Sequence, residues 1–252
     1  MSPNPIRKAL SSIRKHGVQF LLMGGQACVF YGAAEFSRDI DLAIFCESEN
    51  LVCLQKALEE LQAEVIAVPP FNAEFLKRGL AVHFRCHNPK ASGLRIDIMS
   101  KMRGVEEFPI LWQRRTTIQT NDGETIDILS IEDLVRAKKT QRDKDWPMIR
   151  RLVDSHFFQF MAERTPDRIL FWLNELRTPD LIQKVLSESP EKIDPTQILR
   201  PWLLSLKHPS PEEIERNLKD EENREREADR NYWRPLKEEL ESLRRKRTPQ
   251  KS

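Results

Sequence analysis

Apolar residues in the first half of the chain recur with two different periods, and the alternation between them predicts a mixed α/β fold. Ile6, Leu10 and Ile13 return every three to four residues behind Asn4 and Pro5, a capping residue and a helix-opening proline, until Gly17 stops the helix. The apolar run 18–23 is then a buried strand. Gly24-Gly25 makes a tight turn into a short helix over 26–31, and 39–45 is a second strand. A helix over 50–62 puts Leu51, Leu54, Leu58 and Leu61 on one face, and a third strand over 64–68 is closed by Pro69-Pro70. A short helix at 73–78 precedes strands over 81–86 and 94–99, and 116–129 reads as a hairpin turning at Asn121-Asp122-Gly123.

Beyond the hairpin the pattern is helical. Ser130 caps a helix reaching 139, with Asp133 three residues on in a box-like arrangement, and another helix spans 145–155. Between 160 and 206 an apolar side of Ile169, Leu170, Trp172, Leu173 and Leu176 is broken up by Pro179, Pro190, Pro195 and Pro201. Most residues from 212 to 247 are charged, and Trp233, Leu236, Leu240 and Leu243 form a narrow seam that can dock on the domain or on a partner. The class predicted is α/β (α+β): a small mixed β-sheet core flanked by helices and followed by a helical C-terminal region. The expected division is a domain over 1–158, a helical extension over 159–208 and a charged helical tail over 209–252.

Composition narrows the function classes. At 252 residues, 39% hydrophobic and 32% charged, the chain fits a packed domain with a charged appendage. Lys and Arg number 41 against 39 Asp and Glu, and a net charge of +2 is too small a surplus for a chain that coats nucleic acid or a membrane surface. Cys28, Cys46, Cys53 and Cys86 form no Cys-x-x-Cys and read as reduced thiols, not as a zinc site or a disulfide framework. Arg7, Lys8, Arg14 and Lys15 before the apolar run 18–34 imitate a secretory signal, but Gly24, Gly25 and Gln26 interrupt the run. Nothing approaches the roughly 20 apolar residues of a spanning helix, so the expected location is cytoplasmic, with no membrane partner.

The chemistry concentrates in acids on strands. Period two sends the Asp39 and Asp41 carboxylates out of one strand face while Ile40 and Leu42 enter the core. Two carboxylates this close repel unless a cation joins them, and hard oxygen ligands suit Mg²⁺. Asp-x-Asp alone is common on acidic strand edges. Here Arg95-Ile96-Asp97-Ile98-Met99 repeats the pattern of an acid between apolar neighbours. With strands about 4.8 Å apart, Asp97 can meet Asp39 and Asp41 over two metal ions roughly 3.5–4 Å apart, an arrangement suited to phosphoryl transfer. At the Gly24-Gly25 turn, backbone without side chains can approach a phosphate closely. The Walker pattern and Gly-x-Gly-x-x-Gly are both absent, which excludes P-loop and Rossmann readings.

In three segments the chain resembles the polymerase β-like nucleotidyltransferase superfamily, and within it the minimal and abortive-infection (AbiEii-type) toxin families. They are Leu22-Met23-Gly24-Gly25-Gln26-Ala27, Ser37-Arg38-Asp39-Ile40-Asp41-Leu42 and Arg95-Ile96-Asp97-Ile98. Ser130-Ile131-Glu132-Asp133-Leu134 through Lys138-Lys139 to Arg142-Asp143-Lys144-Asp145 is similar to the helical motif these toxins carry after the sheet. The resemblance implies Mg²⁺-dependent transfer of a nucleoside monophosphate from an NTP to an acceptor hydroxyl on RNA, protein or a small molecule. It assigns Asp39, Asp41 and Asp97 to catalysis and to two Mg²⁺ ions. Gly24, Gly25, Gln26 and Ser37 go to the nucleotide, and Lys138 or Lys139 to phosphate. It also raises a toxin role with an antitoxin partner. Glu35 stands where many relatives carry Arg, which weakens a phosphate contact from that loop, and the Lys-to-Arg-Asp segment is about one residue short.

Other candidates read as structure. Lys138 and Lys139 are equally readable as solvated helix charges, and Asp143 and Asp145 as favourable acids at a helix start. His16, His83, His87, His156 and His208 show no ligand spacing, although His83 and Arg85 share a strand face that can line the cleft. Phe157, Phe158 and Phe160 read as core. Two other classes remain open: a catalytically inactive nucleotide- or RNA-binding module, and a structural protein that assembles through its C-terminal helix.

Overall fold

The computed structural model describes residues 4–120, 123–188, 195–205 and 209–247. The chain begins with α1 (Pro5–Lys15), β1 (Phe20–Met23), α2 (Gly24–Phe30) and β2 (Ile40–Ile44), followed by α3 (Ser48–Glu60), β3 (Ala63–Val65) and α4 (Ala73–Lys77). Next come β4 (Val82–Cys86), β5 (Arg95–Met99), α5 (Phe108–Gln113), β6 (Thr116–Gln119), β7 (Thr125–Ile128) and α6 (Ile131–Ala137). Helices α7 (Asp145–Phe160), α8 (Pro166–Glu175), α9 (Pro179–Glu188), α10 (Pro201–Ser205) and α11 (Pro211–Arg247) complete it, with a 3-10 turn at Pro195–Gln197. The fold is therefore mixed α/β with a helical C-terminal region, as the two periods predict. None of the described helices is long and apolar enough to cross a membrane.

By its internal contacts the chain divides into two units: one of the described parts of 1–30, Ala34–Ala137 and the chain from 231 on, the other of Tyr31–Ala33 and Lys138–Arg230. The first unit holds a seven-stranded sheet in the order β3-β4-β5-β2-β1-β7-β6. Strands β2 and β5 run parallel, as do β1 and β7, and the other neighbouring pairs are antiparallel. Leu21, Leu22, Ile40, Leu42, Ile44, Ile96 and Ile98 are fully buried, so the central strands put their aliphatic residues into the core. Asn4 caps α1, its side chain accepting from the Ile6 and Arg7 amides. Lys8, Lys15 and His16 from that end of the chain all reach Glu60 at the end of α3.

Several boundaries differ from the sequence reading. Helix α2 begins at Gly24 itself, not after the glycine pair, because Gly24 takes a left-handed φ of 65° that turns the chain directly out of β1. Strand β2 begins at Ile40, leaving Asp39 at its entrance. Helix α5 has no counterpart in the sequence reading, being only six residues long with Pro109 in its first turn. The hairpin forms between β6 and β7, and its turn residues Asn121 and Asp122 lie outside the described residues. Ser130 and Asp133 make the expected box, the Asp133 amide donating to Ser130 Oγ at 3.2 Å and Ser130 Oγ donating to the carboxylate at 2.9 Å. The part of α11 in the first unit is held by an Arg78–Glu239 ion pair of 2.6 Å.

In the second unit α7 runs to Phe160 because Leu152, Val153 and Phe157 continue one buried stripe. Phe157 is core against Trp172, as expected, but Phe158 is 61% exposed, since one helical residue further turns the ring about 100° away. The first part of α11 buries Ile214 and Leu218 here, and Glu221 pairs with Arg177 at 2.9 Å and with Arg200 at 2.8 Å.

Candidate active site

Strand register brings two of the predicted acids side by side. In the parallel β2/β5 pair Asp41 lies directly opposite Asp97, and in the antiparallel β4/β5 pair Asp97 lies opposite His83. Across β1/β2, Asp41 is opposite Met23, the residue before Gly24. One row therefore crosses four strands as His83, Asp97, Asp41 and Met23. Directly opposed residues share a sheet face, and residues two apart on a strand do as well, so Arg95 joins that face, and Asp39, just before β2, acts on Arg95 through its charge.

The glycine turn is built against this row. A Cβ placed on Gly24 would lie 1.8 Å from Asp41 Oδ2, and one on Gly25 would lie 2.5 Å from Ser37 Oγ. Only bare backbone fits beside Asp41, whereas a side chain at Gly25 would require the Ser37 hydroxyl to turn away. The loop before β2 is tied to the same turn, with Gln26 Nε2 donating to the Ser37 carbonyl at 2.9 Å and Ser37 Oγ donating to the Asp39 carbonyl at 3.3 Å. Gly24, Gly25, Gln26, Ser37, Asp39, Asp41 and Asp97 thus form one constellation.

Asp97 is not a bare carboxylate. Arg95 donates from Nε to Oδ1 at 2.7 Å and from Nη2 to Oδ2 at 2.9 Å, a two-point fork. His83 Nδ1 sits 2.9 Å from Asp97 Oδ1 and 3.1 Å from Arg95 Nη2, so with its proton it donates to the carboxylate and without it accepts from the guanidinium. Burial alone would raise the Asp97 carboxyl, but the hydrogen bonds from His83 and Arg95 outweigh it and hold the group below the usual carboxylate range. Arg95 is in turn pushed above its ordinary value by the hydrogen bond to Asp97, with the charges of Asp39 and Asp41 adding to it.

The sequence reading placed His83 near this cleft without a role and gave Arg95 none. The available signal was the spacing of Arg95 and Asp97, two residues apart on one strand and so on one face.

Asp39 and Asp41, both half-buried, fit a hard cation of the Mg²⁺ kind, which is held by one or two carboxylates together with substrate phosphates. Among the described residues no group of three or more His, Cys, Asp or Glu is arranged to hold a metal ion. Lys138 and Lys139 belong to the second unit, where Lys138 Nζ is 3.8 Å from Asp145 and Lys139 Nζ is 2.8 Å from Glu175. Asp145 is buried at the start of α7, taking hydrogen bonds from Thr140 and Arg142, which supports its helix-start role.

No protein family matches the chain, and no curated protein sequence does. Among solved structures, the chain is similar to a crystal structure from H. pylori described as a putative nucleotidyltransferase, at 13% identity and a TM-score of 0.40, over 90% of this chain and 94% of that one. At that score the likeness fixes neither family nor activity.

Proposed function

We propose that this protein is a nucleotidyltransferase that moves a nucleoside monophosphate from an NTP to an acceptor hydroxyl in a Mg²⁺-dependent reaction, releasing pyrophosphate. The observation that carries the reading is the row of Asp97 and Asp41 on neighbouring parallel strands, with the Asp41 carboxylate seated against Gly24. A surface acidic strand edge needs no glycine turn shaped around its carboxylate.

Asp39 and Asp41 hold the cation in this reading. When bound, it neutralises charge on the triphosphate and on the departing pyrophosphate. Gly24 and Gly25 keep side chains out of the space beside Asp41 and Ser37, and Gln26 and Ser37 hold the loop that delivers Asp39. Asp97 orients the acceptor hydroxyl or takes its proton, which requires Arg95 to release at least one carboxylate oxygen. A second Mg²⁺ at Asp97 is part of the same resemblance-based reading. Lys138 and Lys139 enter through that resemblance alone, since both ammonium groups pair with acids. The finer reading, a cytoplasmic toxin of a toxin-antitoxin or phage-defence system with an antitoxin protein as partner, rests on the same motifs.

A second reading is favoured by one observation: both Asp97 oxygens are occupied by Arg95, as expected of a module that binds nucleotide without turnover. One experiment separates the two. Pure protein is incubated with each labelled NTP, Mg²⁺ and total cellular RNA or protein, and whatever carries label is identified. Mg²⁺-dependent labelling of an acceptor supports transfer. Saturable NTP binding with no labelled acceptor supports the binding module, and absence of both removes the nucleotide reading.

A further inference from the structure

We infer that Arg95 is a resident counter-cation of the acidic site: in the nucleotide-free protein its guanidinium occupies Asp97, Asp39 and Asp41 take a single divalent cation, and a second is admitted only when Arg95 leaves Asp97. The inference rests on the nucleotidyltransferase reading above and deepens it by giving Arg95 a positioning role.

The geometry carries the argument. Arg95 and Asp97 are two residues apart on β5, with the fully buried Ile96 between them, so the backbone is fixed and both side chains leave the same face. The fork spans both carboxylate oxygens at 2.7 and 2.9 Å, and His83 adds a third nitrogen at 2.9 Å. A divalent cation of the Mg²⁺ kind needs a carboxylate oxygen at roughly 2.0–2.1 Å with its lone pair free, and a guanidinium lying across both oxygens excludes it. Asp41 stands directly opposite Asp97, so three carboxylates would repel one another if the guanidinium were absent.

The exchange has a way to occur. The Arg95 side chain is 39% exposed while that of Asp97 is 17% exposed, so the guanidinium can swing outward while the carboxylate stays. Arginine binds phosphate with the same two-point geometry it uses on carboxylate, so an incoming triphosphate offers an equivalent partner. Arrival of nucleotide would then free Asp97 in the same motion.

The test counts Mn²⁺ bound to the full-length, nucleotide-free protein from the paramagnetic resonance of free Mn²⁺. Wild type is expected to bind one ion and Arg95→Gln two. Arg95→Gln/Asp97→Asn is expected to return to one. Arg95→Lys, which keeps a charge but cannot span both oxygens, is expected to gain the second site as well and serves if Arg95→Gln does not fold. Two ions in wild type, or one ion in both Arg95 variants, overturns the inference and leaves the nucleotidyltransferase reading standing. No ion in wild type, at Mn²⁺ concentrations that saturate a millimolar site, overturns the inference and leaves the nucleotidyltransferase reading standing, because in that reading substrate phosphates help to hold the cation.

Discussion

The Asp41 carboxylate is seated where a Gly24 side chain would be: a Cβ on Gly24 would lie 1.8 Å from Oδ2 and 2.4 Å from Cγ. Gly24 also holds a φ of 65°, which L residues adopt at a cost of roughly 1–2 kcal/mol. Gly24→Ala therefore meets two penalties, one of them relieved only in part by Asp41→Ala, whose retained Cβ would still lie 2.7 Å from the new one. We expect Gly24→Ala to lower Tm and to abolish transfer. Combined with Asp41→Ala it should cost less stability than the two single changes added. Thermal unfolding of the four proteins in a double-mutant cycle checks this, and strict additivity would show that the carboxylate does not rest on the glycine.

Replacing both Asp39 and Asp41 by Ala removes the proposed cation ligands and two mutually repelling charges. The expected result is loss of labelled-nucleotide transfer with little change in Tm, because the relief of repulsion is offset by the lost attraction to Arg95. Transfer that survives the double change would eliminate metal-assisted chemistry at this pair, whereas a lowered Tm alone would not support it.

Asp97→Asn keeps the shape of the side chain and one acceptor oxygen for Arg95 but cannot take a proton. Single-turnover transfer should slow by roughly 10²–10⁴-fold, the usual contribution of a positioned acid–base group, while NTP binding persists. Wild-type turnover in this variant would place Asp97 outside the reaction.

In the second unit, Trp172 Nε1 donates to His156 Nδ1 at 2.9 Å, and burial, aided by the Arg168 charge, pushes His156 down to about 4. The neutral ring is the native form. The unfolded chain thus binds the proton more tightly than the folded one. The stability His156 confers is complete above its unfolded value of 6.5 and erodes as pH falls from there toward 4. Urea unfolding followed from pH 7.5 to 4.5 should show this decline, and it should be flatter in His156→Gln.

Glu221 on α11 answers two buried guanidinium groups, since the Arg177 and Arg200 side chains are 7% and 3% exposed. Burial would raise its carboxyl, yet Arg200 and Arg177 hold it below the ordinary value. Glu221→Ala removes the carboxylate both arginines share, leaving Arg200 on the Leu173 and Leu176 carbonyls and Arg177 on the Leu218 carbonyl and Glu222, and should cost about 2–3 kcal/mol, a Tm drop on the order of 5–10 °C. A drop of a degree or two would mean that water reaches these arginines.

Local chemistry in the sequence was enough to place Asp41 and Asp97 on strands, the glycines at the turn and the capping residues at Asn4 and Ser130, because side-chain period, φ preference and capping act over a few residues. Alternation expected Asp39 and Asp41 on one face, but β2 begins only at Ile40, so the loop before it, not the strand, sets the place of Asp39. Strand order lay beyond local chemistry. That β5 docks beside β2, fifty residues away in sequence, and aligns Asp97 with Asp41 is decided by which sheet buries Ile40, Leu42, Ile96 and Ile98 together. The same nonlocal packing sets Arg95 across Asp97 beneath His83, gives Lys138 and Lys139 acid partners, and buries one stripe of the charged helix α11. Charge composition along that helix reads as a solvated surface. Only the arginines brought to it by folding, Arg177 and Arg200, make Glu221 an interior residue, because a buried charge is stable only where its partner is buried with it.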